Sequence, residues 1–372
     1  MRAPATRLAY IDGWRVLAIM LVFLDHLGAN REIGAFYEAS PIGFISQYGE
    51  TGVFIFFFIS GYVVSRACLA EVESSGAFSA PAFYARRFFR IVPPLMLYLA
   101  FCLALGAAGY IDFSLENVLS AAFYLCDTTA PGVSCNWYVG HTWSLAFEEQ
   151  FYCLFPVALA YLEFGKAPRP IIAAAVLLFA AAPFVFTVWW IGKTGFVIAY
   201  ALFFAGYAAA KHGERVVAAA QGFRVPALIV AMLIVFLPRG VVAAFGQDEA
   251  ARAELIAYYR LLYIVAIPAM VLLSGATSLF RSILSDRALS HLGRASYSIY
   301  LWQQLCNGPV FNGLDAVSQL ALLAAVVLLC LLLFPLELKL VGYGHALSKR
   351  FQASPGAASA GGVPPMAAAV LE

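Results

Sequence analysis

The sequence predicts an all-α, polytopic membrane protein with about ten transmembrane helices and both termini on the cytoplasmic side, N-in/C-in. Three observations predict it. Of 372 residues, 63% are hydrophobic and 12% are charged, with a mean hydropathy of +0.83, whereas about a quarter of the residues of a soluble domain are charged. Apolar stretches near the roughly 20 residues that a bilayer-crossing helix needs recur along the whole chain. Placed on alternate sides, the connecting segments carry 17 Lys and Arg on one side and 5 on the other, and Arg15 lies within a span, the bias of a positive-inside topology. The same composition excludes a soluble enzyme and a disordered chain. A net charge of +2 with no basic block excludes a nucleic-acid binder.

The first span covers residues 11–29. Arg2 and Arg7 precede it as in a secretory signal, but Asp12, Arg15, Asp25 and His26 interrupt the apolar run and no small-residue cleavage site follows. It is read as a retained helix. Spans two (48–68) and three (91–109) flank an inner loop holding Arg86, Arg87 and Arg90 on an aromatic-rich interfacial helix. A long outer loop follows. Its Cys126 and Cys135 surround a Pro131-Gly132 turn, and an oxidising compartment lets them bridge, the alternative being two free thiols. The other five cysteines fall in or beside apolar spans, where a thiol behaves as a small hydrophobe. Spans four to eight are placed at 143–163, 170–190, 196–211, 224–241 and 258–279. The ninth, 295–313, carries Asn307-Gly308-Pro309, and the tenth is 317–340. Residues 1–345 form the membrane-embedded domain. The Ser-, Pro-, Gly- and Ala-rich stretch 346–372 is expected to be a disordered cytoplasmic tail. The chain has no convincing internal repeat, and secondary transporters often have one.

Ionisable groups inside hydrocarbon are costly and mark function. Arg15 and His26 are eleven residues apart, which at 100° per residue returns to within about 20° of one face, with roughly 16 Å between them along the helix. Arg15 is then placed toward the cytoplasm and His26 toward the outer leaflet. Glu148 and Glu149 enter from outside at a depth comparable with His26, where one of them can orient and charge-balance an imidazole. Arg87 and Arg90 share a helix face, and guanidinium forks suit the oxygens of a phosphate-bearing ligand. Neither a Gly-x-Ser-x-Gly elbow nor a metal-ligand cluster is present, so serine-hydrolase and zinc chemistry have no support.

Five ordered segments carry a resemblance: Asp12-Gly13-Trp14-Arg15 with His26; Gly52 through Ser60-Gly61-Tyr62; Arg86-Arg87-Phe88-Phe89-Arg90-Ile91-Val92-Pro93; Trp143 through Glu148-Glu149-Gln150-Phe151-Tyr152; and Leu292-Gly293-Arg294 through Tyr300-Leu301-Trp302. Together they resemble the acyltransferase 3 family over about residues 8–340. These are bacterial inner-membrane proteins that O-acylate, usually O-acetylate, surface sugars. The resemblance implies a multi-pass location in the bacterial inner (plasma) membrane and a ten-helix domain with no permanently bound cofactor. It implies a cytoplasmic acyl-CoA donor, most often acetyl-CoA, and a polysaccharide or lipid-linked oligosaccharide acceptor.

Carried over by position, it marks Arg15, His26, Glu148 and Glu149 as catalytic, and Arg86, Arg87 and Arg90 as the acyl-CoA site. His26 is expected to act as general base on the acceptor hydroxyl, its tautomer set by Glu148 or Glu149, or to pass through an acyl-His26 intermediate. The chain departs from the family at Gln303, where a histidine is usual. An amide cannot shuttle protons, so Gln303 is expected to hydrogen-bond within the bundle and shape the acyl passage. The rival class is a proton-coupled transporter or flippase of an anionic or glycan substrate, with the same charges forming a proton relay and an anion site.

Overall fold

The computed structural model describes residues 8–28, 45, 47–128, 130–165, 192–237, 255–256, 258–311 and 313–353. Among them the secondary structure is entirely helical. The expected fifth span, 170–190, lies outside the described residues. Helices α1 (Ala9–Gly28), α2 (Gly49–Ser75) and α3 (Ala80–Ala107) are followed by two short helices, α4 (Leu115–Ala122) and α5 (Trp137–Gly140). Next come α6 (Trp143–Phe164), α7 (Gly192–Ala219), α8 (Arg224–Phe236), α9 (Tyr263–Ala276) and α10 (Ser278–Leu284). The chain closes with α11 (Arg287–Arg294), α12 (Ser296–Cys306) and α13 (Ala316–Ala353).

Among the described residues, three helices are long and apolar enough to cross a membrane: α2, α3 and the Val317–Gln352 stretch of α13. A fourth counts if Arg260–Ala276 and Ser278–Leu284, bent by 94°, form one broken span. The other expected spans differ for visible reasons. Helix α1 holds Asp12, Arg15 and Asp25, and α6 holds Glu148, Glu149 and Gln150 in succession, so neither is a uniformly apolar span. Helix α12 stops before the Asn307-Gly308-Pro309 breaker. At the other end, α13 continues to Ala353 with Ser348 buried, past the boundary expected at 345.

A second difference concerns the arginines. No separate interfacial helix precedes the third span. The Ser79 hydroxyl accepts from the Ala82 amide at 3.4 Å and Pro81 sits in the first turn, both start signals. One helix then carries Arg86, Arg87 and Arg90 straight into the apolar run through Pro93-Pro94.

Helix α2 is the central post, packed against α1 on one side and α7 on the other, while α3 pairs with α13. The α2–α7 crossing is set by glycine. A Cβ on Gly61 would lie 2.2 Å from the Phe203 carbonyl oxygen, and one on Gly206 would lie 2.4 Å from the Tyr62 nitrogen. Only bare backbones come this close. The approach brings Phe203 flat against Phe151 of α6, ring centres 4.4 Å apart, and α6 is thereby held beside α2. Cys126 and Cys135 are bridged, with Cα atoms 5.7 Å apart, tying the α4 side of the loop to the start of α5.

Candidate active site

Three cavities follow one another through the bundle. The first, about 350 Å³, is bordered by Arg15, Arg66, Arg86, Arg87, Arg90 and Arg294, and Asp12 is the one carboxylate on its wall. Such an excess of fixed positive charge in a partly desolvated pocket suits a polyanion. Its guanidiniums are not equivalent. Arg86 is held by Glu71 at 2.8 Å and donates to the Ser348 hydroxyl at 2.8 Å, so it ties α3 to α2 and α13. Arg15 pairs with Asp12 at 3.2 Å. Arg87 lies over the Tyr152 ring, 5.4 Å from its centre, and its Nε is buried without a partner. Arg294 similarly covers Phe334 and has an unpaired Nε. In the sequence Arg66 counts only as an inner-side charge and Arg294 only as part of the Leu292-Gly293-Arg294 segment; facing one cavity is a tertiary property that neither reading contains.

The second cavity is a constriction of about 80 Å³. It shares Arg15, Val63, Arg87 and Arg90 with the first. Glu148 borders it, and its Oε1 accepts from Ser60 Oγ at 2.5 Å and from the Tyr152 hydroxyl. Glu149, one residue on and about 100° round the helix, borders none of the three cavities.

The third cavity, about 650 Å³, shares Val53 and Tyr300 with the constriction and is bordered by His26, Trp137, His141 and Trp143. Arg260 and Glu50 form an ion pair on its wall.

The expected pairing of His26 with Glu148 or Glu149 is not what the structure contains. Glu148 lies seven residues beyond His141, roughly 10 Å further along α6, and faces the constriction. The imidazole partner comes instead from α12: His26 Nδ1 is 3.1 Å from Gln303 Oε1. The amide's orientation is fixed by its other bonds. Asn307 Nδ2 donates to the same Oε1 at 3.2 Å, and Gln303 Nε2 donates to Gln304 Oε1 at 3.3 Å. An amide oxygen only accepts, so Nδ1 carries the proton and the Nε2 lone pair is left available. Gln303 thus hydrogen-bonds within the bundle, as expected, and takes the orienting place assigned to a glutamate. Trp137 packs edge-on against the imidazole at 5.7 Å, and its indole donates to the Gln304 carbonyl at 3.1 Å. Gln304, Asn307 and Trp137 had no signal in the sequence, because their partners are remote along the chain.

Beneath the loop that bears the disulfide, Asp127 is buried and accepts from Gln150 Nε2 at 2.5 Å. Burial pushes its carboxyl up from 3.8 to about 6, against the opposing pull of the Gln150 bond.

Comparison with known proteins identifies the family. A family profile described as "Acyltransferase domain" matches residues 8–336. A provisionally named O-acetyltransferase of Staphylococcus aureus (strain COL) is 28% identical over 165 residues, 41% of this chain and 24% of that protein. The O-acetyltransferase OatA of S. aureus (strain NCTC 8325) is 27% identical over 180 residues, 44% of this chain and 26% of its own. The matched region therefore spans about a quarter of the length of these curated relatives. No solved structure gives a significant match.

Proposed function

Because the chain belongs to the family defined by this acyltransferase domain, which covers residues 8–336, we propose that it is an integral-membrane O-acetyltransferase. It moves an acetyl group from acetyl-CoA to a hydroxyl of an extracytoplasmic or lipid-linked glycan. The observation that carries the reading is the unbroken succession of cavities from an arginine-lined pocket, through a constriction, to an imidazole held with Nε2 free.

In this reading the protein lies in the bacterial inner membrane and crosses it about ten times, N-in/C-in, with the arginine pocket open to the cytoplasm. The donor's phosphates rest against Arg87, Arg90 and Arg294, with Arg86 and Arg15 held as second-line charges by Glu71 and Asp12. The thin pantetheine arm threads the constriction past Glu148 and Tyr152 and brings the thioester to the His26 cavity. The acceptor hydroxyl approaches from the other end. His26 Nε2 takes its proton, the oxygen attacks the thioester carbonyl carbon, the carbon–sulfur bond breaks, and the CoA sulfur leaves with a proton. Gln303 keeps the ring in the productive tautomer throughout. The constriction supports transfer over transport: at about 80 Å³, against about 350 and 650 Å³ on either side, its volume suits the slim pantetheine arm better than a nucleotide or a sugar.

The test is transfer of labelled acetyl from acetyl-CoA to the producing cell's surface-glycan fraction by membranes holding the protein. Wild type should label the glycan. His26→Ala should remove about 10²–10⁴-fold of the rate, the usual contribution of a general base, at equal protein accumulation. Full activity in His26→Ala, or glycan movement without covalent label, would overturn the reading.

A further inference from the structure

His141 sits between α5 and α6, 4% exposed, on the wall of the cavity that holds His26. Among the described residues, neither of its ring nitrogens has a hydrogen-bond partner. Leaving a buried polar group unmatched is costly, so this position is an expensive one for a histidine that only fills space.

The surroundings fix the ring without using its nitrogens. Tyr98 meets it edge-on at 5.8 Å and Tyr300 lies against it at 5.3 Å. The hydroxyls that might have competed are engaged elsewhere. Tyr98 donates to the Tyr138 carbonyl at 2.6 Å. The Tyr300 hydroxyl lies 2.8 Å from the His141 carbonyl and 2.7 Å from Ser144 Oγ. The backbone of His141 is thus clamped, its ring plane is set by aromatic contacts, and its two nitrogens lie buried beside the cavity with no partner among the described residues. Tyr300 also borders the constriction, which places His141 where the constriction opens toward His26.

We propose that His141 is a catalytic residue that donates an N–H to the thioester carbonyl oxygen as that oxygen becomes an oxyanion. An imidazole has an N–H in either protonation state. The assignment rests on the acyl-transfer reading above and adds a division of labour. His26 takes the hydroxyl proton, while His141 holds the charge that forms on the carbonyl oxygen and gives up no proton. When the carbonyl re-forms and the carbon–sulfur bond breaks, His141 is unchanged.

The experiment compares wild type, His141→Gln and His141→Phe in the labelled acetyl-CoA assay with the surface-glycan fraction, together with infrared spectra. The spectroscopic probe is the ketone analogue of acetyl-CoA, with CH₂ in place of sulfur and a ¹³C carbonyl. Loss of one oxyanion donor should lower kcat by about 10²–10³-fold in His141→Phe, with the KM for acetyl-CoA little changed. His141→Gln, whose amide can still donate, should keep more of the rate. The bound ¹³C carbonyl stretch should be lower in wild type than in His141→Phe, a shift that a space-filling role would not produce. Should His141→Phe fail to accumulate, the carbonyl stretch is compared between wild type and His141→Gln, where the longer, weaker donor should raise it. Unchanged kcat, equal loss in the two variants, or one carbonyl frequency in all of them would overturn the proposal. An inactive wild type would overturn the acyl-transfer reading first, and this one with it.

Discussion

Replacing Gln303 by Leu removes the one hydrogen bond that holds the His26 ring among the described residues. Gln303 is fully buried, and its Oε1 accepts from both His26 Nδ1 and Asn307 Nδ2. Leucine, similar in size, would leave both donors without that acceptor and free the imidazole to change tautomer and tilt. An unsatisfied buried donor costs about 1–3 kcal/mol. If that energy is what keeps the ring productive, the rate falls about 5- to 150-fold, at 1.36 kcal/mol per factor of ten. This is a larger effect than an amide that merely shaped a passage would have, and smaller than loss of the base itself. The assay is steady-state acetyl transfer by purified Gln303→Leu, Asn307→Ala and the double variant. The KM for acetyl-CoA should be unchanged, because the arginine pocket lies beyond the constriction. Asn307→Ala should add little once Gln303 is gone, since its contribution acts through the same oxygen. Unaltered kcat in Gln303→Leu would refute the orienting role. A loss as complete as in His26→Ala would require Gln303 to touch the reacting atoms.

Three further outcomes follow from the geometry. Arg87→Ala with Arg90→Ala should raise the KM for acetyl-CoA and leave that for the glycan alone, lysines should restore it only in part for want of the fork, and Arg86→Ala should instead lower thermal stability by releasing Glu71 and Ser348; an unchanged donor KM in the double variant would refute phosphate binding there. Gly206→Ala drives a Cβ to 2.4 Å from the Tyr62 nitrogen and should destabilise the bundle by about 1–3 kcal/mol, read by thermal unfolding in detergent, while Gly213→Ala, with its nearest contact at 3.5 Å, should be neutral or better. The raised carboxyl of Asp127 means that the folded state binds its proton more tightly than the unfolded one, so wild-type stability should fall as pH rises from about 4 through about 6, by up to about 3 kcal/mol; Asp127→Asn should remove that slope, and a wild-type stability that rises over the window would refute the assignment.

What the sequence disclosed, and what it withheld, divides along local and remote interactions. The helix placed at 143–163 forms at Trp143–Phe164, and that placed at 11–29 forms at Ala9–Gly28, because hydropathy and caps are properties of a few neighbouring residues. The shared stripe of Arg15 and His26 followed from helical periodicity, and each borders a cavity. The partner of His26 did not follow. Gln303 is 277 positions away, and a carboxylate near in estimated depth looked the better mate until the actual tilt and register of α6 put Glu148 against Ser60 and Tyr152. Nor did the continuity of α3 follow, since the basic Arg86–Arg90 stretch and the apolar run from residue 91 read as separate segments and one helix carries both.

The constriction between the two larger cavities has a kinetic consequence. If the nucleotide and the sugar reach the reaction centre from opposite ends, through cavities that meet at the constriction, neither substrate blocks the other's path. The order of addition is then random. Free CoA must back out by the way acetyl-CoA came in, so it competes with acetyl-CoA and inhibits noncompetitively against the glycan. The acetylated glycan shows the mirror-image pattern. In that arrangement two chemically unlike reactants would stay on opposite sides of the constriction, and the acetyl group alone would pass between them.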